Sequence, residues 1–428
     1  MQRILVKELN KYIDKDVKIQ GWIHRIRRLK AITFLILRDR TGLVQCILDN
    51  SKYSEKLTLE SVISIDGIVK EGNNKLNNFE VQINSFELLN SVEHELPIEI
   101  NKENLEINLD TMLNNRVLSL RHNKVNSIFK IQNIIVNGVR EYLSSNDFTE
   151  IFTPKLVSEG AEGGSEVFKL DYFEQQAYLA QSPQFYKQMM IGAGFERVFE
   201  IGHAYRAEEH NTSRHLNEYI SIDLEVGFIK DEYDIMKIEE ELLKYVLGKL
   251  ENEGKEYLDL LNIELPKVLN EIPKLDFNEV LEILKTKFDR TDLDGDLDPE
   301  SEKQIYKYCK EELNSEFLFV TNYPRRKRPM YTMPLGEKGT KSFDLLFRGI
   351  EITTGGQRIH DYDMLISNMK YKGVDPENYK SYIDTFKHGM PPHGGLAIGL
   401  ERLTTRLLGL ENVREASLIP RDRTRLLP

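Results

Sequence analysis

The hydrophobic pattern of this chain changes period once, and that change limits what it can fold into. Before residue 97 apolar side chains recur at every second position, the repeat of a strand with one buried face. The stretch Val17-Lys18-Ile19-Gln20-Gly21-Trp22-Ile23 alternates. A short apolar run follows at 34–37, then the turn Asp39-Arg40-Thr41-Gly42 and a returning strand at 43–48. Further strands are predicted at 62–70 and 79–88. From Lys124 the repeat becomes helical: Ile128, Ile131, Ile134, Ile135, Val139 and Leu143 share one face, and Ser144-Ser145-Asn146-Asp147 ends it. Phe152-Thr153-Pro154 then opens a strand.

Five short strands in about ninety residues suit an OB-fold β-barrel over 1–97, whose face binds single-stranded nucleic acid. Pro97 and the polar stretch 101–115 read as part of a hinge over 98–123. The 428 residues, 40% hydrophobic, suffice for a large core and more than one domain. No apolar run reaches 18 residues and no signal-peptide pattern opens the chain, so a cytoplasmic protein without membrane contact is expected. Cys46 and Cys309 lack a CxxC partner, which argues against zinc or a disulfide framework. The net charge of −11 is unhelpful to nucleic-acid binding, but it is uneven. Residues 21–40 hold Arg25, Arg27, Arg28, Lys30, Arg38 and Arg40 against Asp39 alone. An acidic body with a basic patch fits RNA docking at limited places; a solvated strand face has the same composition.

Residues 230–320 are helix-rich, amphipathic over 233–250, and offer no identifiable chemistry. The acidic loop 289–300 puts Glu300 twelfth from Asp289, as a calcium loop needs, but Leu293 and Asp294 then occupy a ligand and a glycine position. No register satisfies that pattern, so calcium is not expected. The basic run Arg325-Arg326-Lys327-Arg328 lies between Pro324 and Pro329.

Chemistry concentrates in four blocks and one hairpin. The hairpin, 205–225, reads YRAEEHNTSRHLNEYISIDLE: an arginine, a charged loop, then a strand in which Ile220, Ile222 and Leu224 alternate with Ser221, Asp223 and Glu225. Arg206 can clamp a phosphate through two parallel hydrogen bonds, which lysine cannot. An ordinary surface hairpin would share this spacing. The blocks are SEGAEGGSEVF at 158–168, QSPQFYKQ at 181–188, SFDLLFRGIEITTGGQRIH at 342–360 and GMPPHGGLAIGLERLTTRLL at 389–408. Glycines around the glutamates make the first a candidate lid. In the third, Asp344 and Glu351 lie seven apart on a predicted strand pair and can offer oxygen to magnesium. In the fourth, Gly394, Gly395 and Gly399 would let a strand approach a ligand before a helix with Arg402 in its first turn.

Together these blocks resemble the class II aminoacyl-tRNA synthetases, and QSPQ-x-x-KQ with the PRDRTRLLP tail resembles the aspartyl members of compact archaeal and eukaryotic type. The resemblance covers nearly the whole chain. It implies an α+β architecture: the barrel, then a catalytic domain over 124–428 built on an antiparallel sheet flanked by helices. Motif 1 would span about 124–156 and form a homodimer interface, motif 2 about 197–226 and motif 3 about 389–408. It implies ATP and L-aspartate as substrates, Mg2+ as cofactor and tRNA(Asp) as partner. Arg206, Arg402 and Lys187 would be catalytic. Aspartate would be held by Glu162, Ser182, Gln184, Lys187, Arg206, Asp223, Thr354 and Arg358. ATP would meet Arg206, Ala207, Glu208, Arg214, His215, Leu216, Glu218, Glu351, Gly399, Leu400, Glu401 and Arg402. Magnesium would sit at Glu351, Thr354 and Asp344. Thr354 stands where serine is common and Gly356 where alanine is common; the hydroxyl is kept. Phe34 and Gln45 match the pair that stacks on and bonds the central anticodon base. His24 stands where discriminating members tend to carry tryptophan, which leaves tRNA(Asn) open as a second substrate; another such position falls in the loop 73–78.

Rival readings are an asparaginyl enzyme, a tRNA-independent asparagine synthetase and a non-catalytic RNA-binding paralogue. Lys187 and Ser-Pro-Gln in place of Ser-Gly-Gln speak against the first, the barrel against the second. Arg206, Glu351, Arg358 and Arg402 together speak against the third.

Overall fold

The computed structural model describes residues 2–51, 57–160, 166–209 and 212–428. It divides into two compact units, Met1–Glu106 and Ile107–Pro428. In the first, strands β1 (Asp16–Arg28), β2 (Ile32–Asp39), β3 (Gly42–Asp49), β4 (Val62–Glu71) and β5 (Phe79–Asn90) close a barrel in the order β1-β2-β3-β5-β4. The β3–β5 pairing is parallel, with Cys46 opposite Val81. Alternation does the sorting: Val17, Ile19, Leu35, Leu37, Val44 and Cys46 fill the barrel, while Phe34, Ile36, Gln45 and Ile47 stand on its outer face. Phe34 is thus not a core residue. Neither cysteine is in a disulfide, and both are buried.

The segment read as a hinge carries structure. Residues to Glu106 belong to the first unit, and two short helices, Leu109–Asn114 and Arg116–Ser119, open the second. Asn108 caps the first by accepting from Thr111 N. The buried Arg116 donates to the carbonyls of Leu418 (2.8 Å) and Ser417 (2.6 Å), three hundred residues away. Polar composition suggested a linker because these long-range partners leave no local signal.

In the second unit, helix α1 (Asn123–Ser145) buries the predicted isoleucine face. Helices α2 (Gln184–Gly192), α3 (Glu232–Glu253), α4 (Pro299–Glu312) and α5 (Leu400–Leu407) follow. The strands are β6 (Thr149–Glu150), β7 (Arg197–Tyr205), β8 (Glu218–Gly227), β9 (Lys274–Asp276), β10 (Phe317–Thr321), β11 (Ser342–Phe347), β12 (Ile350–Arg358) and β13 (His393–Gly399). Among the described residues these eight form one sheet, ordered β9-β10-β11-β12-β13-β8-β7-β6. Its central strands, β10 to β8 and on to β7, pair antiparallel; only the edge pairs β9–β10 and β7–β6 are parallel. One face packs on α1 and α3, where Ile131, Ile135, Phe199, Ile222, Leu224, Ile235 and Leu243 share a core. Each such side chain contributes roughly 1.5–3 kcal/mol. On β8 the other face carries Ser221, Asp223 and Glu225, and these are buried too. The strand is apolar against the helices and charged beneath the site.

Candidate active site

The sheet's polar face gathers a buried ionic cluster. Lys187, on α2, places Nζ 2.9 Å from Asp223 Oδ1 and 3.4 Å from Glu225 Oε2. It also donates to Leu396 O at 3.1 Å. Arg358, at the end of β12, donates from Nε to Glu225 Oε1 (3.1 Å) and from Nη2 to Gly395 O (2.9 Å). Ser221 Oγ donates to Asp223 Oδ2 at 2.6 Å. Glu225 therefore links Lys187 and Arg358, two of the residues expected to hold aspartate, and its pairing with them was not foreseen. Asp223, expected to help hold aspartate, pairs with Lys187 here. Gln184 is buried and donates to Gln188 Oε1 (3.0 Å), with its backbone N–H on Ser182 Oγ (3.4 Å).

Beside this cluster lies a cavity of about 160 Å³. Of the predicted nucleotide residues, Arg206, Glu208, Arg214, His215, Leu216, Glu351, Gly399, Glu401 and Arg402 line it, with Thr354. Three arginines from two motifs thus converge on one hollow, as a polyphosphate requires. The hairpin fixes its own arginine: Arg206 N donates to Asn217 O (2.9 Å), and Asn217 Nδ2 returns to Arg206 O (2.6 Å). Glu401 accepts from Ile220 N through both oxygens, at 3.1 and 3.0 Å, and burial pushes its carboxyl up to about 7. It ties α5 to β8. Arg214 pairs with Glu302 of α4, a residue from the stretch without assigned chemistry. His215 Nδ1 contacts Thr212 Oγ1 at 2.6 Å.

Asp344 on β11 and Glu351 on the paired strand β12 interact electrostatically. Thr354 Oγ1 donates to Glu351 Oε1 at 2.8 Å, and Arg402 Nη1 lies 3.9 Å from it. Burial pushes Glu351 up, but Arg402, Thr354, Arg328 and Arg206 outweigh that and hold it below the usual range. Asp344 is pushed up to about 6 by burial, with Glu351 adding to this and Arg328 opposing. Arg328 contacts Asp344 Oδ2 at 2.6 Å. Asp344 Oδ1 is buried and makes no hydrogen bond among the described residues. Two oxygen donors with one buried valence open, beside an arginine-lined hollow, fit a hard cation completed by phosphate and water. Among the described residues no group of three or more His, Cys, Asp or Glu could hold a metal alone.

Other predicted residues stand apart. Leu400 packs into the core. Ala207 donates its backbone N–H to Glu166 O (2.8 Å), and Glu218 pairs with Tyr205 across the hairpin; neither lines the cavity. Glu162 lies outside the described residues. Of the motif 3 glycines, Gly395 makes room for protein: a Cβ on it would sit 2.1 Å from Leu224 O and 2.2 Å from Glu225 Oε2, whereas Gly399 lines the cavity and has ordinary room. The acidic loop is met by one arginine of the basic run and by one of its own. Arg326 pairs with Asp294, and Arg290 with Asp292 and Asp298. In the barrel, Phe34 and Gln45 line one hollow with Arg25 and Arg27, and Gln45 donates to Glu80 Oε2 at 2.8 Å. His24 falls at a β-bulge in β1, which turns its ring to within 3.2 Å of Arg38 Nη1.

A closed five-stranded barrel joined in sequence to an antiparallel sheet with an arginine-lined hollow and a buried lysine and arginine sharing one glutamate is the arrangement of a class II aminoacyl-tRNA synthetase. The family model described as tRNA synthetases class II (D, K and N) matches residues 108–423, and that of the OB-fold nucleic acid binding domain matches 17–89. The chain belongs to this family, on its aspartate–tRNA ligase side. It is 48% identical to the aspartate–tRNA(Asp/Asn) ligase of Thermus thermophilus over 426 residues, all of both chains. It is 45% identical to that of Deinococcus radiodurans, over 100% of this chain and 99% of the relative, and 42% identical to the aspartate–tRNA(Asp) ligase of Picrophilus torridus, over 96% and 97%. Among solved structures it resembles asparaginyl-tRNA synthetase from Pyrococcus horikoshii complexed with asparaginyl-adenylate (TM-score 0.92, 30% identity, 100% of both chains). It also resembles aspartyl-tRNA synthetase from Entamoeba histolytica (TM-score 0.89, 30% identity, 100% and 93%).

Proposed function

We propose that the enzyme attaches L-aspartate to tRNA(Asp) through an aspartyl-adenylate. The observation that carries this is the buried Lys187–Glu225–Arg358 cluster. Lysine and arginine only donate hydrogen bonds. A carboxylate offers them two acceptor oxygens, whereas the amide of asparagine would turn its NH2 towards donors. The aspartate α-carboxylate attacks the α-phosphorus of ATP in line, the bond to the bridging oxygen breaks, and pyrophosphate leaves. Arg206 stabilises the charge that develops on the α-phosphate, and Arg214, His215 and Arg402 hold the outgoing phosphates. Glu351, Asp344 and Thr354 would hold Mg2+, which supplies neutralisation of phosphate charge. The tRNA terminal ribose hydroxyl then takes the aspartyl group and AMP departs. Glu162 is proposed to meet the substrate ammonium.

Phe34 and Gln45, on a basic outer face of the barrel, are proposed to read the anticodon. A homodimer is proposed because Phe152 and Leu156, after α1, are 82% and 49% exposed on the segment the family uses as its interface. A cytoplasmic location is in keeping with the absence of any helix long and apolar enough to cross a membrane among the described residues. Charging of tRNA(Asn) is the second reading, favoured by His24 at the bulge. The test is aminoacylation of tRNA(Asp) and tRNA(Asn) transcripts with labelled aspartate and labelled asparagine. Aspartate on tRNA(Asp) alone supports the first reading, and aspartate on both supports the second. Asparagine on either defeats the reading of Lys187 and Arg358.

A further inference from the structure

We infer that Glu302 is a positioning residue of the nucleotide site: from behind the cavity wall it fixes the Arg214 guanidinium in the orientation that receives the terminal phosphates of ATP. This rests on the reading of the arginine-lined cavity as the ATP site. Arg214 lines the cavity, Glu302 is not among its lining residues, and Arg214 Nη2 pairs with Glu302 Oε2. The pairing occupies one edge of a five-donor fork and leaves the rest for an anion. Arg214 lies in a segment without helix or strand, so the loop backbone does not hold so long a side chain in one rotamer.

Helix α4 can. Asp298 caps it by accepting from Ser301 N at 2.8 Å, and Pro299 opens it. Ile305 and Cys309 anchor it in a core cluster with Phe277 and Val320. Glu302 is in its first turn, with a side chain 6% exposed. The charged groups around the carboxylate are Arg214 from the motif 2 loop, Glu351 from β12, and Arg402 and Arg406 from α5; Tyr306 lies one turn along α4 near Arg406. Arg406 stands one turn beyond Arg402, and its Nε is buried without a hydrogen bond among the described residues. Three guanidiniums crowd one carboxylate, so Glu302 both directs Arg214 and lowers the repulsion among them. Burial pushes the Glu302 carboxyl up to about 7; Glu351 adds to this, and Arg214 and Arg402 oppose it. Protonation would release Arg214.

The test is ATP affinity by calorimetry, without amino acid, for the wild type, Glu302→Gln, Glu302→Asp, Arg214→Ala and the double variant Arg214→Ala/Glu302→Gln. Glu302→Gln is expected to weaken ATP binding about tenfold, the loss of one charge-assisted contact. Glu302→Asp should recover part of this, and Glu302→Gln should add nothing once Arg214 is alanine. Wild-type affinity should fall as pH drops from 8 to 6 more steeply than that of Glu302→Gln. Unchanged or tighter ATP binding by Glu302→Gln, or an equal loss with and without Arg214, overturns the inference. A wild type that does not bind ATP overturns the reading of the cavity itself.

Discussion

Replacing Lys187 by methionine tests whether the buried cluster is held by charge. Its Nζ is 2.9 Å from Asp223 and 3.4 Å from Glu225. At an effective dielectric of about 20, those separations correspond to attractions of roughly 6 and roughly 5 kcal/mol. Desolvating the lysine and two carboxylates offsets much of this, so the net value of the cation is far smaller. Its removal is a different quantity, because Asp223 and Glu225 stay buried with half their compensation gone. Breaking a buried pair from one side costs about 3–5 kcal/mol. Lys187→Met should lose about that much in urea unfolding followed by far-ultraviolet circular dichroism. The α-helices lie in the second unit, so that signal reports the unit containing the cluster. The deficit should narrow in acid, where the stranded carboxylates of the variant can take up protons. It should also shrink in Lys187→Met/Asp223→Asn, which removes one stranded charge. Adenylate formation with aspartate should fall by about a hundredfold or more. Stability within about 1 kcal/mol of the wild type, or a second substitution that only adds damage, would refute the argument.

Gly395→Ala should force β13 from β8, because its Cβ would meet Leu224 O and Glu225 Oε2. We expect about 1–3 kcal/mol of lost stability and a larger rise in KM for aspartate than for ATP in pyrophosphate exchange; equal rises would show that Glu225 had not moved. Glu239, fully buried on α3, is pushed up to about 8 by burial, with Glu240 and Asp344 adding and Thr353 opposing. Its folded pKa is above its unfolded value, so its contribution is fully present below about pH 4.5 and is lost as pH rises through about 8. Glu239→Gln should therefore gain on the wild type with pH, by up to roughly 5 kcal/mol at pH 9; melting temperatures that fall in parallel from pH 6 to pH 9 would exclude this. His24→Trp should reduce charging of tRNA(Asn) more than of tRNA(Asp), since a larger ring at the bulge must displace the buried Arg38–Glu60 pair beside it; equal loss on both transcripts would remove His24 from tRNA choice.

What the sequence made legible and what it hid divide along physical lines. Local periodicity sufficed for α1 and for the barrel strands, because neighbours in sequence share a face. The alternation over 220–226 placed Asp223 and Glu225 on one side of β8, but it did not reveal that this side is buried as well. That requires Lys187 from 36 residues away and Arg358 from 133 residues away. Glu302 and Arg328 were invisible as site residues for the same reason. One meets Arg214 across 88 positions, and the other comes from the basic run 325–328 and meets Asp344 of β11. The glycines of motif 3 were expected to let a strand approach a ligand, but composition cannot say what approaches. At Gly395 it is the neighbouring strand and its carboxylate.

The choice between two amino acids lies below the level of the fold. An asparaginyl and an aspartyl enzyme resemble this chain almost equally, with TM-scores of 0.92 and 0.89 at the same 30% identity. The two neighbours match this fold over the whole of this chain, so the backbone that carries Lys187 on α2 and Arg358 at the end of β12 does not by itself select the substrate. Discrimination must then come from which groups at those positions donate, and from what holds them apart. Here Glu225 accepts from Arg358 and draws in Lys187, so the cations stay at fixed positions without substrate. An arriving carboxylate would find its donors already arranged and their desolvation already met when the protein folded. An amide in the same place would leave a buried cation facing its NH2, and the cost of that unmet charge would be the enzyme's means of rejecting it.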